Sequence, residues 1–302
     1  MGKTRSRSQR KGDRGTMLLL PTWLVLGGLL LLPLLILLGT SFHPPDDVGN
    51  PQAISNWSQF FHSGDWAHNY VQSVRPIYLR VAWRSLWLAA ITTGLCLLIG
   101  YPVSFYIALI APQRRKNLLL ALAVIPFWTS FLIRISAWRI ILQDRGALNA
   151  LLLHLHLIYE PLRLMDTPLA VLIGLVYGEL PFMILPVYAS LEKLDRTLLE
   201  ASSDLGASGR GTFWRVVWPL SMPGVAAGCV LVFIPGIGQF IVSDLLGGSR
   251  TMLLGNLVQN QYTSGRDKPL GAAIALELTA AVLAMLIAYA IAAKRRGMEV
   301  AL

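Results

Sequence analysis

Six long apolar runs constrain what this chain of 302 residues can fold into. A helix needs about 20 apolar residues to cross the hydrocarbon core of a bilayer, and each run reaches that length. The runs are too continuous for the alternating strands of a membrane barrel, and a helix satisfies its own backbone hydrogen bonds in lipid. We therefore predict an all-α membrane protein whose six transmembrane helices cover residues 17–42, 85–111, 118–142, 169–191, 220–242 and 270–293.

The composition agrees with a membrane protein. Only 14% of the residues are charged, whereas soluble domains carry about a quarter. The net charge of +10 would also suit nucleic-acid binding, but the cations cluster beside the apolar runs, which indicates topology instead. We expect membrane lipid and no nucleic acid as a partner. Cys96 and Cys229 lie inside apolar runs, so we expect neither a disulfide nor a metal site from them.

The distribution of Lys and Arg predicts the orientation of the chain. With the N-terminus in the cytoplasm, sixteen of these residues fall on inner segments, eight on outer segments and two within the third run. Cytoplasmic loops are enriched in Lys and Arg, so both termini are expected in the cytoplasm. Residues 1–16 then form a basic leader, and residues 17–302 form the transmembrane domain. The first run is too long for a cleaved signal, and we interpret it as a retained helix.

A shorter apolar segment covers residues 148–158. Its eleven residues are too few to cross a membrane, so an interfacial helix is expected. His154 and His156 lie in this segment and could bind a metal, but two histidines without further ligands are more often structural. We predict no metal site and no cofactor in this chain.

A charged segment between the fourth and fifth runs, residues 192–219, has the spacing of a helix, a turn and a second helix. Four side chains recur at helical intervals and define an amphipathic first helix: Leu194, Leu198, Ala201 and Leu205. Gly206 can adopt the left-handed conformation that ends a helix. A second short helix is expected over residues 212–218, before Pro219. Such a compact projection can seat in a groove on a partner.

Residues 200–219 read EASSDLGASGRGTFWRVVWP. This sequence resembles the loop E-A-A-x3-G-x9-I-x-L-P of the membrane permeases of bacterial ABC importers. The matching positions are Glu200, Ala201, Gly206 and Pro219, whereas Ser202, Val216 and Trp218 depart from the pattern mildly. The resemblance implies docking onto a separate ATP-hydrolysing subunit. The coupling residues that it implies are Glu200, Ala201, Asp204, Gly206 and Ala207.

The sequence contains no ATP-binding motif of its own. The pattern G-x4-G-K-[ST] is absent, and the glycine-rich residues 206–212 lack its lysine. Neither H-E-x-x-H nor G-x-S-x-G occurs, which argues against a membrane-embedded enzyme. We therefore expect a transport subunit without catalytic residues, and an ATPase on another chain.

Three further stretches look like the spermidine/putrescine (polyamine) importer permeases. They read PFWTSFLIRISAWRIIL over 126–142, YGELPFMILPVYASLEKL over 177–194 and FIPGIGQFIVSDLLGG over 233–248. The likeness extends from residue 86 to residue 293. It implies the type I importer fold, also termed MetI-like, in the bacterial inner membrane. It also implies a second related permease, an ABC ATPase dimer and a periplasmic solute-binding protein as partners.

Three charged residues, Arg134, Glu179 and Glu277, fall at similar depth within the third, fourth and sixth runs. A charge at mid-bilayer costs at least about 2.5–3.5 kcal/mol, so such residues are expected to face the bundle interior or a water-filled path. Two carboxylates against one guanidinium leave surplus negative charge, which suits a polyamine cation, and Trp128 and Tyr177 could add cation–π contact. Alternatively, Arg134 and Glu179 form a structural ion pair, and Glu277 is protonated.

The fifth run contains a candidate gate. Residues 235–238, Pro-Gly-Ile-Gly, are expected to break the helix and free backbone carbonyls. Gln239 and Asp244 follow near the expected outer mouth. A packing kink is the alternative interpretation of the same residues.

Two other functions stay open from the sequence alone. One is an ABC permease for another small solute, because related permeases share parts of the same sequence. The other is a self-contained secondary transporter or channel, which would transport without an ATPase subunit. The coupling loop and the absence of an inverted-repeat signal count against this second possibility.

Overall fold

The computed structural model describes residues 9–46, 49–52, 54, 67–248, 251–265 and 267–295. The chain divides into two units, residues 1–74 with 260–280 and residues 75–259 with 281–302. In the described ranges the ordered elements are helices, besides one isolated bridge between Pro45 and Pro51. In chain order the helices are α1 Gln9–Ser41, α2 His68–Ser73, α3 Pro76–Phe105, α4 Gln113–Val124, α5 Phe131–Leu142, α6 Ala147–His154, α7 Pro168–Glu192, α8 Arg196–Asp204, α9 Gly209–Thr212, α10 Trp218–Gly238, α11 Leu254–Thr263 and α12 Lys268–Arg295.

Tighter or wider turns continue several of these helices. They are the π-turn Tyr106–Ile110 after α3, the 3-10 turn Ile125–Trp128 after α4, the π-turn Phe213–Val217 before α10 and the π-turn Ser243–Gly247 after α10. Within the residues that the structure describes, four helical segments are long and apolar enough to cross a membrane: Pro76–Ile110, Pro168–Glu192, Gly209–Gly238 and Lys268–Ile291. They confirm the helices predicted from the second, fourth, fifth and sixth apolar runs.

The third apolar run forms a bent pair of helices, so the prediction of one continuous helix over 118–142 is wrong. The segments Gln113–Trp128 and Phe131–His154 meet at an angle of 90°. Pro126 has no N–H to donate, and α4 gives way at Ile125 to the 3-10 turn Ile125–Trp128. Thr129 is then extended, with φ −87° and ψ 153°. The pair is a broken span or a re-entrant loop.

The first apolar run lies on α1, which has 33 residues. Within the described part of the chain, its apolar portion Val25–Ser41 is shorter than a full span. The predicted helix is therefore confirmed, whereas its crossing of the membrane stays a prediction. The described part of the chain thus holds four candidate spans, or five when the bent pair counts as one. The helix begins at Gln9, within the predicted leader of residues 1–16.

In the larger unit, α7 packs against both α3 and α10. Glycines permit the close approach of α10 to α7. A Cβ atom added at Gly224 would lie 2.5 Å from the carbonyl oxygen of Pro186, and one added at Gly228 would lie 2.7 Å from Sδ of Met183. The clash at Gly224 is with backbone, so the helix pair requires glycine there, whereas a side chain at Gly228 would require the flexible side chain of Met183 to move.

A buried lysine closes the turn between α3 and α4. Nζ of Lys116 donates a hydrogen bond of 2.6 Å to the carbonyl oxygen of Ala108, and Lys116 is only 5% exposed. The residue four positions after Ala108 is Pro112, which has no N–H to donate. The lysine therefore satisfies a carbonyl that the helix itself leaves free, and its charge suits the negative end of the helix dipole.

In the smaller unit, α2 is hydrogen-bonded to the end of α1. Nδ2 of Asn69 donates to the carbonyl oxygens of Ser41 and His43, each at 2.8 Å. The hydroxyls of Ser41 and Tyr70 lie 2.8 Å apart. Asn69 and Ser41 are fully buried, so these bonds compensate for the removal of polar groups from water.

Candidate functional site

The loop over residues 192–219, predicted to couple to an ATPase, folds as a helix, a turn and a second helix. Asp195 precedes α8 with extended backbone and accepts a hydrogen bond of 2.9 Å from the N–H of Thr197. Hydrogen bonds from Thr197, chiefly the one from its backbone N–H, lower the pKa of the Asp195 carboxyl below its ordinary value. A capping carboxylate satisfies free N–H groups of the first turn and stabilises the start of the helix.

Gly206 ends α8 in the left-handed conformation, with φ +77°. Its N–H donates to the carbonyl oxygen of Ser203 at 2.9 Å, and the N–H of Ala207 donates to that of Ser202 at 3.0 Å. This pair of bonds satisfies carbonyls that the helix end would leave free. The turn predicted from Gly206 is therefore confirmed. Among the described residues no neighbouring atom would lie within 4 Å of a Cβ added there, so the backbone angle is what favours glycine.

The second arm of the loop begins at α9, where Oγ of Ser208 accepts a hydrogen bond of 3.3 Å from the N–H of Gly211. The helical segment runs without a break from Gly209 to Gly238. The prediction of a separate short helix over 212–218 is therefore wrong. The π-turn Phe213–Val217 ends two residues before Pro219, and this wider turn accommodates the residue that would interrupt a regular helix.

One face of α8 is not covered by any other part of the chain that the structure describes. Leu194 and Leu199 pack against the buried core. Leu198 is 46% exposed and Leu205 is 89% exposed. An exposed apolar side chain on a capped, charged helix is a suitable contact for a protein partner. The predicted coupling residues Glu200, Ala201, Asp204 and Gly206 are also exposed, whereas Ala207 is half-buried.

Aromatic side chains attach the base of this loop to α3. The ring of Phe213 lies edge-on to Tyr101 at 5.8 Å and to Phe105 at 5.9 Å between centroids. Tyr101 also contacts Trp218 at 5.1 Å and shares a hydrogen bond of 2.9 Å with Ser221 of α10. Tyr101 could not be recognised from the sequence, because these contacts join residues more than 100 positions apart. The loop is thus connected to both α3 and α10.

Glu179 lies in the middle of α7 and is only 4% exposed. Its Oε2 atom is buried without a hydrogen-bond partner in the described part of the chain. Burial of a carboxylate in this way is costly unless a cation or a donor meets it. Among the residues of the predicted pathway, Glu179 is therefore the one whose buried oxygen without a partner most clearly favours binding of a ligand.

Arg134 lies on α5, immediately after the bend. Its guanidinium carbon is 4.3 Å from the ring centroid of Phe127 and 5.7 Å from that of Phe131. Its Nε and Nη1 atoms are buried and lack hydrogen-bond partners among the described residues. The guanidinium thus stacks on an aromatic ring in this structure, and its pairing with Glu179 stays a prediction.

The same aromatic rings contact α7 close to Glu179. Phe127 lies edge-on to Phe182, with centroids 5.5 Å apart. A Cβ atom at Gly178, the residue before Glu179, would lie 3.2 Å from the ring of Phe131. The bend between α4 and α5 therefore carries its two phenylalanines to the stretch of α7 that holds the buried carboxylate.

Glu277 belongs to the smaller unit. Its Oε1 atom lies 2.6 Å from the hydroxyl of Ser73 on α2, and that hydroxyl also lies 2.7 Å from the carbonyl oxygen of Tyr70. Glu277 is half-buried. Through these contacts the carboxyl group of Glu277 joins α12 to α2. The place of Glu277 in a solute pathway stays a prediction.

The remaining candidate residues differ in exposure. Trp128 is 87% exposed. Tyr177 is half-buried and lies edge-on to Trp138, with centroids 5.5 Å apart. Cation–π contact of Trp128 or Tyr177 with a solute stays a prediction.

The candidate gate lies at the end of α10. The helix continues through Pro235 and ends at Gly238, so the break falls after residues 235–238. Gln239 follows with extended backbone and is half-buried, whereas Asp244 is exposed on the π-turn Ser243–Gly247. The structure thus places both polar residues beyond a helix end, and their gating role stays a prediction.

The fold defines a helical membrane protein with an exposed, capped loop between two of its spans. Residues 100–297 match the family described as "Binding-protein-dependent transport system inner membrane component", and the chain belongs to this family. The protein is therefore the permease component of an ABC importer and a transport subunit without catalytic activity of its own.

Relatives and solved structures agree with this membership. The chain is 45% identical over 267 residues to the spermidine/putrescine transport system permease protein PotB of Escherichia coli (strain K12), covering 88% of this chain and 92% of that relative. It is 41% identical over 279 residues to PotB of Haemophilus influenzae, covering 92% and 93%. The crystal structure of a bacterial ABC transporter involved in the import of the acidic polysaccharide alginate shares the fold, with a TM-score of 0.72, 16% identity and coverage of 96% and 99%.

Proposed function

We propose that this permease carries a polyamine such as putrescine or spermidine across the inner membrane. The likeness to PotB over 88% of the chain carries the proposal. The alginate transporter has only 16% identity, so it supports the fold and not the solute. The buried carboxylate of Glu179 adds a physical argument for a cation.

The chemistry of Glu179 suits an ammonium group. A charge at the centre of a bilayer costs at least about 2.5–3.5 kcal/mol, so a carboxylate there needs a partner. Its Oε2 atom has none among the described residues. A polyamine supplies several N–H donors with positive charge, and charge-assisted hydrogen bonds of this kind are the stronger ones. Glu179 would therefore bind an ammonium group during passage.

The exposed loop is proposed to seat on an ABC ATPase. Glu200, Ala201, Asp204, Gly206 and Ala207 would form the docking surface, which agrees with the exposure of the first four. The complex would contain a second, related permease, two ATPase subunits and a periplasmic binding protein that delivers the solute. Both termini would lie in the cytoplasm, on the side where ATP is available.

The contacts at the base of the loop suggest how its movement reaches the pathway. Phe213 and Tyr101 connect the loop to α3, and Tyr101 also connects it to α10. These two helices flank α7, which carries Glu179. A displacement of the loop by ATP binding would therefore shift the helices on either side of the carboxylate. Such a shift would expose Glu179 to alternate sides of the membrane.

The proposal is tested by uptake in bacterial cells that lack their own polyamine importers. Expression of the permease with its three partners should restore accumulation of labelled putrescine or spermidine. Replacement Glu200→Lys in the docking surface should abolish accumulation while the chain still inserts. Accumulation of an acidic saccharide instead of a polyamine would reject the proposed solute.

A further inference from the structure

We propose that a hydrogen bond between the hydroxyls of Ser202 and Thr212 clasps the two arms of the coupling loop, so that both residues position the docking surface. The inference rests on the proposed coupling role of the loop. Ser202 stands where the E-A-A pattern has its second alanine. A departure that looks mild in sequence thus creates a contact between two arms of the loop.

The two hydroxyls are close enough for a direct bond. Oγ of Ser202 on α8 lies 2.9 Å from Oγ1 of Thr212 at the end of α9. Both side chains are half-buried. Either hydroxyl is able to donate to the other, and such a hydrogen bond is directional. Because neither group carries a charge, salt affects the contact only weakly.

The clasp connects the most exposed part of the loop to its anchored base. Leu205 is 89% exposed at the tip of the loop. Thr212 is followed directly by Phe213, which packs on Tyr101 and Phe105 of α3. The bond between Ser202 and Thr212 therefore links α8 directly to the residue before the anchored Phe213, in addition to the chain itself. Without this bond the tip would move more freely relative to α3.

The adjacent serine offers a matched control. Oγ of Ser203 donates to the carbonyl oxygen of Leu199 at 3.1 Å, within its own helix. Ser203 is exposed, and its hydroxyl bonds within a single arm of the loop. Replacement Ser203→Ala therefore removes a hydroxyl from the same turn of α8 and leaves the clasp in place.

The test uses the assembled importer in proteoliposomes, with solute uptake and ATP hydrolysis measured in the same sample. Ser202→Ala and Thr212→Val should each lower the number of solute molecules moved per ATP by about fivefold. This is the change in an equilibrium constant that corresponds to the net free energy of one typical hydrogen bond. Thr212→Ser keeps a hydroxyl and should retain the wild-type ratio. The double replacement should lower the ratio no further than either single one, because both remove the same bond.

The ratio separates positioning from folding. A variant that merely lowered the amount of assembled complex would reduce uptake and hydrolysis together and leave their ratio unchanged. An unchanged ratio in assembled Ser202→Ala and Thr212→Val complexes would therefore overturn the inference, as would an equal fall in Ser203→Ala. If Thr212→Val does not assemble, Ser202→Ala decides alone, since it removes a single oxygen.

The same assay distinguishes failure of the clasp from failure of the coupling proposal. If Glu200→Lys uncouples hydrolysis from uptake but Ser202→Ala does not, the loop couples and the clasp is refuted. If neither replacement changes the ratio, the coupling role of the loop is itself refuted.

Discussion

Replacement Glu179→Gln keeps the shape of the side chain and removes its charge. Glu179 is 4% exposed, so water screens the charge little and its removal has a large effect. A hydrogen bond to a charged group contributes about 1.5–3 kcal/mol. If that contribution is made as the ammonium passes, uptake of putrescine should slow by about 10- to 150-fold. Assembly of the complex and its basal ATP hydrolysis should stay unchanged.

The assay is initial uptake of labelled putrescine into proteoliposomes that contain the assembled importer, at several concentrations. Glu160→Gln serves as the control, because Glu160 is exposed in the segment between α6 and α7. Removing this exposed charge should change uptake little, since solvent and salt screen it. Equal effects of the two replacements would show that burial at Glu179 is irrelevant to transport.

A double replacement tests whether Glu179 serves only to neutralise Arg134. The guanidinium stacks on Phe127 at 4.3 Å, so we expect Glu179→Gln with Arg134→Gln to remain as slow as Glu179→Gln alone. Recovery of uptake in the double variant would refute the reasoning, because it would show that the carboxylate serves only to balance the charge of Arg134.

Three further predictions concern the loop, the helix packing and the topology. Gly206→Leu should reduce stimulation of the ATPase by the loaded binding protein, because a side chain at φ +77° costs about 1–2 kcal/mol; full stimulation would contradict a role for the turn. Gly224→Leu should lower the melting temperature of the purified complex, since its Cβ would meet the carbonyl oxygen of Pro186 at 2.5 Å, whereas Gly94→Ala, with no atom within 4 Å, should not. Cysteines introduced over residues 114–117 should be unreactive to external reagents in intact cells, and labelling there would contradict cytoplasmic placement.

Local sequence signals predicted much of the fold. Four of the six apolar runs form helices that are long and apolar enough to cross a membrane in the described part of the chain, because length and hydropathy are properties of each segment by itself. The left-handed Gly206 was predictable for the same reason, since a glycine after an amphipathic helix is a local signal. Pro126 was also visible in the sequence, but the long apolar run around it favoured an unbroken helix over the observed bend.

Contacts between residues that are far apart in the chain could not be predicted from the sequence. The hydroxyls of Ser202 and Thr212 meet only because the turn at Gly206 folds one arm back on the other. The stacking of Arg134 on Phe127 depends on the 90° bend that was not predicted. The similar depth of Arg134 and Glu179 in their apolar runs suggested an ion pair, but depth does not determine how side chains are oriented around a bend.

ATP-driven uptake by the purified importer tests the central claim most directly. The permease, its second permease, the ATPase and the binding protein are reconstituted in proteoliposomes, and influx of labelled spermidine is followed with and without ATP. We predict influx only with ATP and the binding protein, competed by unlabelled putrescine and abolished by Glu200→Lys. Influx that persists without the ATPase, or that carries an anionic solute in place of the polyamine, would contradict the account.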